Sequence, residues 1–204
     1  MKQTLTLLIG LLVFFSCKND NIHNLDSEKL HKKVINKSEN FGIVIHGGAG
    51  TILKKNMSDS LENAFTSKLK EAIRKGHSIL ENGGSSIEAI TATINIMEDS
   101  PLFNSGKGAV FTHEETNELD ASIMDGSNLN AGAVAGVTRI KNPINLALAV
   151  MNDSPHVLLS GKGAEIFAKE RGFNLVDPSY FFTQNRYNSL IRVKQKEKDN
   201  ENKV

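Results

Sequence analysis

Apolar residues recur along the chain at two spacings. Residues 41–45 form a short β-branched run that ends in His46-Gly47-Gly48-Ala49-Gly50, predicting a buried strand that turns sharply in a loop open to close backbone approach. Leu61, Phe65, Leu69, Ala72, Ile73, Ile79 and Leu80 follow at helical spacing with charges between them, and Gly83-Gly84 closes the run. These positions predict a long amphipathic helix. Ser85 or Ser86 caps a second helix carrying Ile87, Ala89, Ile90, Ile94 and Met97, with Glu88 near its start and Pro101 beyond its end. Residues 102–108 read as a glycine-punctuated loop and 109–112 as a short strand. Two further strands are predicted over 118–124 and 131–140, the second rich in small residues that let another layer sit close. Asp125-Gly126 supplies turn chemistry for a hairpin between them. Pro143 opens a helix that includes Ala147, Val150 and Met151, and residues 161–171 form another. The order strand, two helices, strands, two helices predicts a layered α/β or α+β architecture rather than a bundle.

The two ends read differently. Lys2 precedes an apolar run over 5–15, the length of a signal-peptide core and too short for a stable membrane span, so 1–16 is expected to be a signal peptide. Ser16-Cys17 resembles the lipobox of bacterial lipoproteins. It predicts an acylated Cys17 and an exported protein held by its lipid anchor to a membrane, in the periplasm or at the cell surface. Residues 17–40 are rich in Asn, Lys, Asp, Glu and Ser and carry little apolar surface to offset chain entropy, which predicts a flexible tether. Residues 193–204 have the same character and are expected to be a disordered linker tail. The folded part then spans 41–192, about one domain.

Composition removes several function classes. Of 204 residues, 39% are hydrophobic and the formal net charge is +1, which gives no reason to expect a polyanion partner. With no Trp and two Tyr there is little to stack on bases, so no nucleic acid is expected. A single cysteine excludes an intrachain disulfide or thiolate cluster, and the six His are scattered without zinc spacing. Neither Gly106-Lys107 nor Gly161-Lys162 has the upstream glycine of a phosphate loop, and no Gly-x-Ser-x-Gly elbow occurs.

Longer motifs carry more. His46-Gly47-Gly48-Ala49-Gly50, then SPLFNSGKGAVF over 100–111, then ELDASIMDG over 118–126 stand in sequence. NAGAVAGV over 130–137, Asn142-Pro143, SPHVLL over 154–159 and Gly163-Ala164-Glu165 follow. In this order and without a gap, the set resembles the plant-type L-asparaginase and isoaspartyl peptidase family of N-terminal nucleophile hydrolases. The resemblance implies a precursor that cuts itself before a threonine, leaving an α part and a β part together in an αββα sandwich, of which this chain is the α half. The freed threonine hydroxyl attacks the side-chain amide of L-asparagine or the β-aspartyl bond of a small peptide, with its own amine as base. An oxyanion hole stabilises the intermediate. No cofactor is implied.

That threonine opens a Gly-Thr-Val-Gly-like stretch, and this chain has none. Its only Gly-Thr pair, Gly50-Thr51, sits where cleavage would detach the first strand, so the nucleophile is expected in a β part beyond this chain. The resemblance makes that β subunit a partner, implies a dimer of αβ units, and predicts the α part alone to be inactive. It also places supporting roles on this chain. The His46-Gly47-Gly48 backbone orders the threonine, and Asn104 hydrogen-bonds near it. From physics alone, His46 is a satisfied strand-end histidine and Asn104 caps its own turn. The backbone carbonyls of Met97, Glu98, Ser100, Phe103, Ser105 and Lys107 match a loop that surrounds a structural sodium ion, a ligand type suited to a hard cation. Asp120 and Asp125 read as strand-end and turn hydrogen bonders. A glycosylasparaginase-like hydrolase is the alternative inside the family, and a truncated, non-catalytic lipoprotein remnant the alternative outside it.

Overall fold

The computed structural model describes residues 40–49 and 54–202. The expected signal peptide over 1–16, Cys17, the expected tether up to residue 39, and Thr51 lie outside them. Helix α1, Asp59–Glu81, starts on Ser58, whose side chain accepts from the Leu61 N–H, and α2, Ser86–Glu98, starts on Ser85. Ser85 and Glu88 form a reciprocal capping box, with each side chain accepting from the other residue's backbone N–H. The two helices pack together at Gly76, where an added Cβ would lie 2.3 Å from the Thr93 hydroxyl.

The hairpin forms as its pattern requires. Strand β1, Leu119–Met124, pairs antiparallel with β2, Ala131–Val137, and buries Leu119 and Ile123 while Asp120, Ser122 and Met124 face outward. The register shifts between Leu119 and Ala121. There Asp120 Oδ1 accepts the Gly136 N–H at 2.8 Å, satisfying a donor the irregular ladder would otherwise leave. Helix α3, Pro143–Asp153, lies across both strands. Its approach depends on Gly132, where a Cβ would fall 2.1 Å from the Ala147 carbonyl oxygen. A third strand, β3 (Leu158–Ser160), runs parallel to β2, and α4, Gly161–Glu170, packs back on this edge of the sheet. Val134, Val137, Ile144, Leu146, Val150, Ala168 and Phe181 fill the core between these layers. The layered α/β expectation therefore holds, with five α-helices and a small mixed sheet among the described residues.

Four expectations are corrected. Residues 41–45 belong to no strand among the described residues, and Val44 is 94% exposed. Residues 109–112 are loop rather than strand, because the Asn117 side chain donates to the Ala109 and Val110 carbonyls, each at 3.0 Å, and takes a neighbour strand's place. The strand predicted over 131–140 stops at Val137, beyond which Ile140 makes a lone bridge to Leu175. The tail expected to be disordered from 193 is helical to Glu201, within α5, Gln184–Glu201. Its polar sequence is held by partners elsewhere. Lys194 pairs with Glu115 at 2.9 Å, the Tyr187 hydroxyl donates to Glu115, and Phe111, Phe182 and Tyr187 stack edge to face or tilted.

Candidate active site

The segment over 43–49, Phe65 of α1, the C-terminal part of α2, the loop over 102–105, Val110 and Arg186 of α5 line a cleft of about 820 Å³. His46, Gly47, Gly48 and Asn104 all line it. The His46 ring is turned onto its own loop, where Nδ1 accepts the Gly48 N–H at 3.2 Å. Gly48 has φ 119°, a conformation that strains any other residue, and a Cβ on Gly47 would press on Leu69 of α1 at 3.2 Å. The turn is thus closed from inside and seated on the helix behind it.

Asn104 Oδ1 accepts the Val110 N–H at 2.9 Å, bridging its loop. Its amide nitrogen has no partner among the described residues and remains a donor at the cleft.

The 97–107 stretch winds tightly. A Cβ on Gly106 (φ 50°) would sit 2.3 Å from the Glu98 carbonyl oxygen, and one on Gly108 would sit 2.1 Å from that of Phe103. The Met97 and Ser105 carbonyls accept the Ser100 and Gly108 N–H groups, each at 3.1 Å, using one of two lone pairs. The Glu98 side chain, 2% exposed, accepts the Ile144 N–H at 3.1 Å through Oε1, while Oε2 has no partner. Burial pushes this carboxyl up to about 7, against the opposing pull of the Ile144 N–H and the Asn142 side chain. Backbone carbonyls with a lone pair to spare, in a loop that glycine lets wind this tightly, suit a hard cation, for which no side-chain ligand is needed.

The two aspartates behave as turn residues. Asp120 closes the β1–β2 irregularity, and Asp125 accepts from Ser127, whose side-chain and backbone hydrogen bonds hold its carboxyl below the usual range.

Arg186 was not among the residues the motifs pointed to. It lines the cleft and donates from Nε to the Gly108 carbonyl at 2.8 Å, tying α5 to the loop that holds Asn104. A signal for it was present, since Arg186, Tyr187, Leu190 and Lys194 lie at helical spacing and are among the better-buried positions of α5.

A family model described as Asparaginase matches residues 39–204. A Dictyostelium discoideum protein provisionally named isoaspartyl peptidase/L-asparaginase is 51% identical over 156 residues, covering 76% of this chain and 45% of that protein. The isoaspartyl peptidase of Escherichia coli is 46% identical over 153 residues, covering 75% and 48%. The plant-type L-asparaginase of Pyrococcus abyssi is 41% identical over 154 residues, covering 76% and 48%. The chain spans about half the length of these relatives.

Proposed function

The chain belongs to the asparaginase family, and on that premise we propose that it is the α portion of an isoaspartyl peptidase/L-asparaginase that hydrolyses β-aspartyl dipeptides and L-asparagine. The observation that carries this is the assembly of His46, Gly47, Gly48 and Asn104 around one cleft, from segments far apart in sequence. Two features of the fold support a second part completing it. The 41–49 segment has no ladder partner among the described residues, and Ser122 and Met124 of β1 are exposed. Both are what one half of a two-sheet sandwich presents.

In this reading the nucleophile is a threonine outside this chain, freed when the precursor cuts before it. Its hydroxyl oxygen bonds to the substrate's side-chain carbonyl carbon as its own amine takes the proton. The proton then goes to the leaving nitrogen, and ammonia or an amino acid departs. Water hydrolyses the resulting ester to release aspartate. This chain's share is positional. The Gly47-Gly48 turn offers backbone that only glycine lets come so close, and the free Asn104 amide donates toward the nucleophile. The family's chemistry needs no cofactor. The Met97, Glu98, Ser100, Phe103, Ser105 and Lys107 carbonyls would hold a sodium ion, whose charge stiffens the loop carrying Asn104. Export on the 1–16 leader, anchoring through an acylated Cys17 and pairing of αβ units into a dimer belong to the same proposal.

The test is to express the chain with a β part supplied in trans, and separately alone, and to follow aspartate release from β-aspartyl dipeptide and from asparagine. Hydrolysis in the combined sample only is the expected result. No hydrolysis when both parts are present and associated overturns the reading in favour of a non-catalytic remnant.

A further inference from the structure

We propose that Arg186 recognises the carboxylate of the leaving amino acid in a β-aspartyl dipeptide, and so sets preference for dipeptides over asparagine; this rests on the functional reading above. Arg186 is half-buried on the inward stripe of α5 and shares the cleft with His46 and Asn104. Its Nε is committed to the Gly108 carbonyl at 2.8 Å. A planar guanidinium held at Nε has its remaining fork oriented, and neither terminal nitrogen has a partner among the described residues. Among the described residues no Asp, Glu, Lys or second Arg lines the cleft, whose other walls are apolar or neutral polar apart from His46.

A partly desolvated, pre-oriented guanidinium with no counter-charge is matched by a carboxylate, whose two oxygens take both terminal donors. The candidate substrates differ in this feature. Asparagine has one carboxylate and releases ammonia, whereas a β-aspartyl dipeptide carries a second carboxylate on the amino acid that leaves. A cation placed to meet the leaving amino acid separates the two classes by a charge-assisted bond that only the dipeptide makes. Deleting that bond falls chiefly on KM, because the leaving-group carboxylate is charged in ground and transition states alike.

The experiment uses the full-length protein and three substrates: β-aspartyl-leucine, its isosteric β-aspartyl-leucinamide, and L-asparagine as the reference without a second carboxylate. The wild-type protein should favour the free acid over the amide at least tenfold in kcat/KM, mainly through KM. R186M should erase that preference and R186K should retain part of it. The proposal is overturned if the wild type does not distinguish acid from amide, a comparison that needs no variant to fold. It is equally overturned if R186M lowers all three substrates by one factor, which would make Arg186 a brace for the Gly108 loop alone. A wild-type protein that hydrolyses none of the three overturns the functional reading itself, and the proposal with it.

Discussion

Gly108→Ala probes the loop on which the candidate site depends. Gly108 is buried, and a Cβ there would lie 2.1 Å from the Phe103 carbonyl oxygen and 2.8 Å from that of Pro101. Ordinary contact begins at 3.4 Å, so the Phe103 carbonyl has to retreat by more than 1 Å. Both obstacles are backbone, and the stretch is pinned by the Asn104–Val110 and Ser105–Gly108 hydrogen bonds, leaving no flexible side chain to yield. Overpacking of this kind costs roughly 1–3 kcal/mol, and an all-backbone clash belongs at the upper end. Displacing the Gly108 carbonyl from Arg186 removes about 1 kcal/mol more. The combined loss of about 4 kcal/mol lowers the melting temperature by roughly 8–16 °C for a chain of this size. Thermal unfolding followed by far-ultraviolet circular dichroism reads this, with Gly126→Ala as control because nothing lies within 4 Å of its added Cβ. If Gly108→Ala melts within about 2 °C of the control, a shift too small for the clash described, the loop is not wound as stated here.

Three further outcomes follow from the same structure. Burial raises the Glu98 carboxyl from 4.5 to about 7, so the stability it contributes is fully present below 4.5 and lost as pH rises through about 7. Urea midpoints of the wild type should therefore fall between pH 5 and 7 more steeply than those of Glu98→Gln, and parallel profiles would contradict this. Ser85→Ala removes one half of the capping box and should cost about 1 kcal/mol, seen as a lower urea midpoint at unchanged m-value. Leu146→Ala, at a fully buried position beneath the sheet, should cost about 2–5 kcal/mol, while Leu158→Ala, at a position 55% exposed, should stay within about 0.5 kcal/mol in the same measurement.

What could be read from the sequence was whatever local pattern and caps decide. The course of α1 follows from apolar spacing closed by Gly83-Gly84, the start of α2 from Ser85, and the hairpin from Asp125-Gly126 between two strand patterns, while the Ser58 cap of α1 was not read. What could not be read depends on distant partners. The 41–45 run has the composition of a buried strand, but composition does not supply the neighbour that makes an extended segment a strand. Residues 109–112 lost their strand to one side chain, Asn117, eight positions away from Ala109. The end of α5 has a solvated composition, and its order comes from Glu115, which is reached only through the fold. Burial pairs of this kind also concealed part of the site. Motifs brought His46 and Asn104 into view, whereas Arg186 enters the cleft by the packing of a helix that charge composition argued against.

The central claim is that this chain supplies the supporting half of a self-cutting threonine hydrolase. Intact-mass analysis of the protein expressed from its gene with the coding sequence beyond Val204 included tests it most directly. The account predicts two fragments, the second beginning with threonine, and release of aspartate from β-aspartyl dipeptide that is abolished when that threonine is replaced by alanine. A single uncut chain with no aspartate release, or a cut that leaves no N-terminal threonine, would contradict it.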